Sequence, residues 1–224
     1  MYRQFANRRE AGILLARKLS GYAGRSDAIV LALPRGGVPV AFEVAMGLQL
    51  PLDVFVVRKL GAPKHEEFAM GAIASGGVCL VDQASVRALH VSEAELNSII
   101  DRERDELERR ELLYRGVRPD LDVRGKTVIV VDDGLATGLT MRAAVAAIKK
   151  LDPKEIVVAV PVCAPVTCEE LQKSVDVWCV CVEAPEAFFA VGLWYKDFDQ
   201  TSDQEVQSLL ARADAGKVAA RHYV

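Results

Sequence analysis

Apolar residues along this chain fall into two kinds of run. Short unbroken ones, AIVLAL (Ala28–Leu33), LDVFVV (Leu52–Val57), TVIVV (Thr127–Val131), IVVAVPV (Ile156–Val162) and DVWCVCV (Asp176–Val182), have the continuous character of strands buried on both faces of a parallel sheet. Between them apolar positions recur at helical spacing, over Phe5–Leu19, Val38–Leu48, about Leu139–Leu151 and Pro165–Lys173. Alternation of the two predicts an α/β fold with a doubly wound, mainly parallel sheet. One interval breaks the rhythm. Leu60–Gly77 mixes glycines and charges with few apolar anchors and reads as a long loop; VCLVD (Val78–Asp82) follows as a short strand. Ser92–Tyr114 then reads as a strongly charged helix, opened by the capping-box pair Ser92 and Glu95, with a solvated arginine face. Asp197–Asp214, with Ser202 as its N-cap, closes the series. No repeat or linker divides the chain, so residues 1–224 are expected to form one domain, with residues 60–118 as a mobile loop and helical insertion.

Composition narrows the class. The chain has 224 residues, 51% of them hydrophobic and 26% charged, with a net charge of −3, enough for one ordinary core. Acids and bases are interspersed, which argues against a surface for duplex nucleic acid. MYRQFANRREAG lacks the apolar core of a secretion signal, and no apolar run approaches the roughly 18 residues needed to span a bilayer, so a cytoplasmic protein with no membrane partner is expected. Five cysteines lie in apolar settings without a CxxC pair and read as reduced, core-packed thiols, although Cys179 and Cys181 share one face of their strand. With three scattered histidines, no metal-ligand set is expected, and HEEFA (His65–Ala69) lacks the second histidine of a zinc-protease helix.

The chemistry concentrates where strands end. In VIVVDDGLATGLT (Val128–Thr140) a buried strand runs into Asp132 and Asp133, then into a small-residue loop and a helix start. Backbone N–H groups of such a loop, the positive end of the helix dipole, and the hydroxyls of Thr137 and Thr140 together suit a monophosphate. Two adjacent carboxylates repel one another without a partner, and vicinal sugar hydroxyls supply donors at matching separation. A bland surface turn with an aspartate cap is the alternative.

This stretch resembles the 5-phosphoribosyl 1-pyrophosphate (PRPP) motif of the type I phosphoribosyltransferases. The resemblance implies that Asp132 and Asp133 engage the ribose 2′- and 3′-hydroxyls, and that Gly134, Leu135, Ala136, Thr137, Gly138 and Thr140 surround the 5′-phosphate. LALPRGGVPVA (Leu31–Ala41) is then similar to the family's pyrophosphate loop, with Arg35 as a bidentate ligand, Gly36 and Gly37 offering N–H groups, and often a strained peptide. In VVRKLGAP (Val56–Pro63) the family implies a basic residue against pyrophosphate or ribose, with Lys59 favoured over Arg58. The implied reaction is displacement at the anomeric carbon of PRPP carried as its Mg²⁺ complex, with Asp132, Asp133 and Lys59 as the catalytic set and Leu60–Gly77 as the lid.

The acceptor is less defined. PEAFFAVGLWYKDF (Pro185–Phe198), within a hood over residues 183–200, resembles the hood of 6-oxopurine enzymes. Phe189 would cover the base there, or would pack with Trp194 and Tyr195 in a small second core. Ala136 points the other way, since 6-oxopurine enzymes usually carry an acid at this position whereas adenine enzymes have alanine there, and the resemblance selects neither subclass. Its methyl group cannot exchange a proton, which leaves Glu66 and Glu67 as the nearest candidates for that task, with solvated loop acids as the favoured alternative reading. The shared segments, F-x-x-R-x-x-A-G through Tyr-x-x-Phe-x-Gln ending at Gln200, resemble a bacterial group of nucleotide-salvage type, compatible with a homodimer. A PRPP-sensing regulator on the same fold is the second expectation.

Overall fold

The computed structural model describes residues 3–63, 65–116, 118–175 and 177–221, of which residues 65–68, 174, 175 and 216–221 are described by their backbone. In chain order the elements are α1 (Arg8–Lys18), β1 (Ala28–Ala32), α2 (Gly37–Leu48), β2 (Leu52–Val54), β3 (Val57–Ala62), β4 (His65–Ala74) and β5 (Val78–Val81). There follow α3 (Gln83–Ala88), α4 (Glu93–Arg115), β6 (Thr127–Val131), α5 (Leu139–Lys149), β7 (Glu155–Val162), α6 (Pro165–Val175), β8 (Trp178–Glu183) and α7 (Asp203–Arg221).

Five strands form one parallel sheet in the order β2-β1-β6-β7-β8. Its central strands are apolar beyond the first residues of β6 and β7, because both faces are covered. In β1, Val30 and Ala32 enter one core with α1, α2 and α7, while Ile29 and Leu31 enter a second core with α5 and α6. The same alternation holds in β6, where Ile129 and Val131 face the first core and Val128 and Val130 the second. Chain order reverses between β1 and β6, and the helices that follow them, α2 and α5, cover opposite faces. At such a reversal the two connections part, leaving a crevice outside the carboxyl ends of the strands.

Two expectations need correction. Leu60–Gly77 is not an irregular loop: β3, β4 and β5 form an antiparallel three-stranded sheet, irregular in register around Gly61. Its sparse apolar residues mislead because few are needed: Leu60, Met70 and Ile73 enter the first core and Ala74 the second. The arginine-rich α4 is also more than a solvated face. Leu96, Ile99, Glu103 and Leu107 form a buried stripe at helical spacing, and Arg58 from β3 donates to Glu103 Oε2 at 2.9 and 2.5 Å. The Ser92–Glu95 capping box forms as expected, and Ser92 Oγ accepts from Glu95 N. At the far end Arg115 and Arg118 both pair with Asp53 of β2.

The cysteines depart further from expectation. Cys168 of α6 and Cys179 of β8 are joined as a disulfide, while Cys79, Cys163 and Cys181 are free thiols. Sequence order hid this pairing because it arises when α6 folds back over β8. Among the described residues no helix is long and apolar enough to cross a membrane.

Candidate functional site

Two strand ends meet at the reversal. β1 runs through Leu33 into Pro34–Gly37, and β6 runs into Asp132 and Asp133, with Leu33 N donating to Val131 O at 2.9 Å. The loops touch closely. A Cβ on Gly36 would lie 2.1 Å from Asp133 Oδ2, and one on Gly37 would lie 2.7 Å from Val131 O. Only glycine admits that approach. The Pro34–Arg35 peptide between them is cis. Thus Gly36 and Gly37 meet Asp132 and Asp133, from segments about a hundred residues apart in the chain, at one crevice, with Arg35 preceding the two glycines in the loop.

Its electrostatics are set by burial. Burial in the crevice raises the Asp132 carboxyl well above the ordinary aspartate range, and the neighbouring Asp133 charge pushes it the same way. Burial also raises Asp133, against the lowering pull of Arg8. Asp133 N donates to Asp132 Oδ1 at 2.9 Å, which fixes one carboxylate oxygen and leaves the other acid to be neutralised from outside.

Arg8 supplies that neutralisation, a role the sequence reading missed. From the first turn of α1 its Nε donates to Asp133 Oδ2 at 2.9 Å, and the two side chains are only 12% and 16% exposed. Its guanidinium lies 3.9 Å from the centroid of the Phe198 ring and also donates to Asp199 O at 2.7 Å. Tyr195 O–H donates to Asp133 O at 2.5 Å. Burial, then the charge of Asp133, raises the Tyr195 phenol far above its usual range. The signal for Arg8 was present in F-x-x-R-x-x-A-G, but spacing alone assigned it no partner. Asn7 caps α1 by accepting from Glu10 N, which holds Arg8 at the helix entrance.

The loop after the acids is fastened from behind. Leu135 is buried and bridges Cys163 at the end of β7, with Leu135 N donating to Val162 O at 2.9 Å and Ala164 N to Leu135 O at 3.0 Å. Thr167 Oγ1 donates to Ala136 O at 2.6 Å. Gly138, at φ +72°, occupies the left-handed region that ordinary side chains disfavour, and immediately precedes α5. Ala136 and Thr137 stay exposed, so a rigid base presents an open rim with α5 pointing its N-terminus into it. Over Gly134 sits the hood residue Val191.

The remaining candidates are arranged around this centre. Lys59 is exposed on β3 and lines a cavity of about 310 Å³ together with Arg58, Arg102, Glu103 and Thr140. Arg58 is held by Glu103, so of the two adjacent bases Lys59 is the freer. Arg35 faces Asp203 of α7, with nitrogen and oxygen 3.7 Å apart. Phe189 is 84% exposed and is not drawn into the hood's small core; Phe188 stacks near Trp194 instead, with Tyr195 against Phe5 and Phe198. The side chains of Glu66 and Glu67 lie outside the described residues.

Comparison with known proteins places this geometry. The phosphoribosyl transferase domain family matches residues 6–196. Over 209 residues the chain is 42% identical to the Mycobacterium tuberculosis protein named "Putative phosphoribosyl transferase MT0597", covering 93% of this chain and 47% of that protein. The chain therefore spans about half the length of the curated relatives it matches. Among solved structures, TT1426 from Thermus thermophilus superposes with a TM-score of 0.81 at 41% identity, over 93% of this chain and 98% of that one.

Proposed function

The chain belongs to the phosphoribosyl transferase family, and from that premise we propose that it transfers the 5-phosphoribosyl group of PRPP to a small-molecule acceptor, with release of pyrophosphate. One observation carries the reading: the glycine loop after β1 packs directly against the paired acids after β6, so a pyrophosphate loop and a ribose clamp share one crevice.

In this reading Asp132 and Asp133 accept from the ribose hydroxyls, and those donors offset the cost of ionising two crowded acids. The open rim from Gly134 to Thr140 takes the 5′-phosphate. Arg35, with the N–H groups of Gly36 and Gly37, takes the pyrophosphate, and Lys59 approaches it from the β3 side. PRPP enters as its Mg²⁺ complex, the cation offsetting pyrophosphate charge. An electron pair on the acceptor, most simply a ring nitrogen, forms the new bond to the anomeric carbon as its bond to the pyrophosphate oxygen breaks. Positive charge grows on the ring near the two carboxylates, which are already fixed there. Phe189, exposed at the hood, is the proposed cover for the acceptor's ring. Ala136 cannot take the acceptor's proton, so hypoxanthine and guanine should be poor acceptors.

The test is pyrophosphate release from Mg²⁺–PRPP across a panel of adenine, hypoxanthine, guanine and pyrimidines, using wild type and Arg35→Ala. Acceptor-dependent release that falls sharply in the variant supports transfer. Tight PRPP binding without release from any acceptor would instead favour a sensing role.

A further inference from the structure

Four of the five cysteines converge behind the phosphate loop, a cluster for which transfer has no use. Cys163 directly follows β7, Cys168 lies on the first turns of α6, and Cys179 and Cys181 share a face of β8. The Sγ atoms of Cys163, Cys168 and Cys181 all lie within 4.8 Å of one another, and Cys179 is bonded to Cys168. Cys79, on β5, stands apart and exposed. We propose that in the reduced chain Cys163, Cys168, Cys179 and Cys181 form a tetrathiolate site for a soft divalent cation, with Zn²⁺ as its expected occupant.

The geometry carries this further than core packing does. A tetrahedral Zn²⁺ with four sulfurs at about 2.3 Å sets them about 3.8 Å apart. Three of the sulfurs already approach that spacing without a bond between them. They come from three packed elements, so the site is largely formed before the ion arrives. The fourth becomes available when a dithiol reduces the Cys168–Cys179 bond: the dithiol gives two electrons and two protons, and is itself oxidised to its disulfide. Binding then releases the thiol protons as four thiolates form. All donors are sulfur, a set that selects a soft ion over Mg²⁺. Disulfide and tetrathiolate exclude one another.

The position gives the ion a structural task. Cys163 bridges Leu135, and Cys168 follows Thr167, whose hydroxyl holds the Ala136 carbonyl. A cation here would tie the end of β7, the start of α6 and β8 together beneath the loop, without touching the crevice.

The experiment uses the full chain, reduced under anaerobic conditions, with Zn²⁺ and Co²⁺ as probes. One Zn²⁺ per chain is expected, together with a Co²⁺ spectrum showing thiolate charge transfer and tetrahedral ligand-field bands. Zn²⁺ should protect four cysteines from iodoacetamide and leave Cys79 reactive, as read by peptide mass spectrometry. Cys163→Ser and Cys181→Ser should each weaken binding by more than the roughly 10–100-fold that loss of an outer-shell partner costs, and Cys79→Ser should not change it. Should a variant fail to fold, the labelling pattern of wild type decides. Folded, reduced protein that takes up no Zn²⁺, or labels at all five cysteines with Zn²⁺ present, overturns the proposal and leaves the cluster a thiol–disulfide element. So does a Co²⁺ spectrum without thiolate charge transfer. None of these outcomes depends on PRPP binding, so the transfer reading stands or falls separately.

Discussion

The carboxyl ends of β6 and β7 begin alike and end differently. Each closes a buried apolar strand, turns through small residues and enters a helix on the same face of the sheet. After β6 the turn borders an open crevice, because its neighbour β1 sends α2 to the opposite face. After β7 the neighbour β8 is reached through α6 itself, so the two helices α5 and α6 lie side by side over the sheet, with Cys163, Cys168 and Leu171 packed in the core there. Local sequence is similar in kind, and topology decides which turn becomes a site. The crevice pays in carboxylates held above their ordinary range, whereas the packed end holds thiols and a hydrogen-bonded threonine.

Changes at the two ends should therefore differ in size and in sign. The largest loss is expected from Arg8→Ala, which strands Asp133 in the crevice without its guanidinium. About 3 kcal/mol of unfolding free energy should go, toward the low end for breaking a buried pair, as read by urea denaturation. A loss near zero would mean water reaches Asp133 freely. Gly37→Ala should cost about 2 kcal/mol, since its Cβ would press on a backbone carbonyl that cannot swing aside. Gly21→Ala, where a Cβ meets open space, is the matched control. At the packed end, Thr167→Val keeps the shape and removes the hydroxyl bond to Ala136 O, for about 1 kcal/mol. If it cost more than Arg8→Ala, the contrast between the ends would fail.

The last change runs the other way. Asp132→Asn should stabilise the ligand-free chain at neutral pH. Folding raises the Asp132 carboxyl above its ordinary value of 3.8, so the unfolded chain gives up its proton at lower pH than the folded one. Native stability from this group is complete below that ordinary value and declines as pH rises through the raised one. The advantage of asparagine should thus grow with pH from about 4 upward in thermal melts. An advantage that is flat in pH would refute the burial cause.

Much of this was legible in the sequence, for identifiable reasons. The parallel strands announced themselves as apolar runs, most plainly β1, β6 and β7, which are buried on both faces, while β8 at the sheet edge is only partly buried. The acid pair and the Arg35–Gly37 turn were visible because they interrupt such runs abruptly. Less legible was whatever depends on a distant partner. Arg8 looked like any charge in an amphipathic helix until Asp133 and Phe198 closed on it from 125 and 190 positions away. β3 and β4 looked like a loop because glycines and charges interrupt their apolar residues. Phe188 and Phe189 were indistinguishable in one dimension, yet one stacks near Trp194 and the other stands free. The cysteines lacked a motif because their meeting is made by β7–β8 pairing and by α6 folding over it, not by spacing.

The claim on which the rest depends is that the paired acids at the reversal of strand order hold the sugar of PRPP. Isothermal titration of Mg²⁺–PRPP into wild type and Asp133→Asn tests it most directly. The account predicts that the substitution weakens binding by about 1–3 kcal/mol, the scale of a charge-assisted hydrogen bond, while ribose-free phosphate binds both proteins alike. Equal PRPP affinity in the two proteins would contradict it.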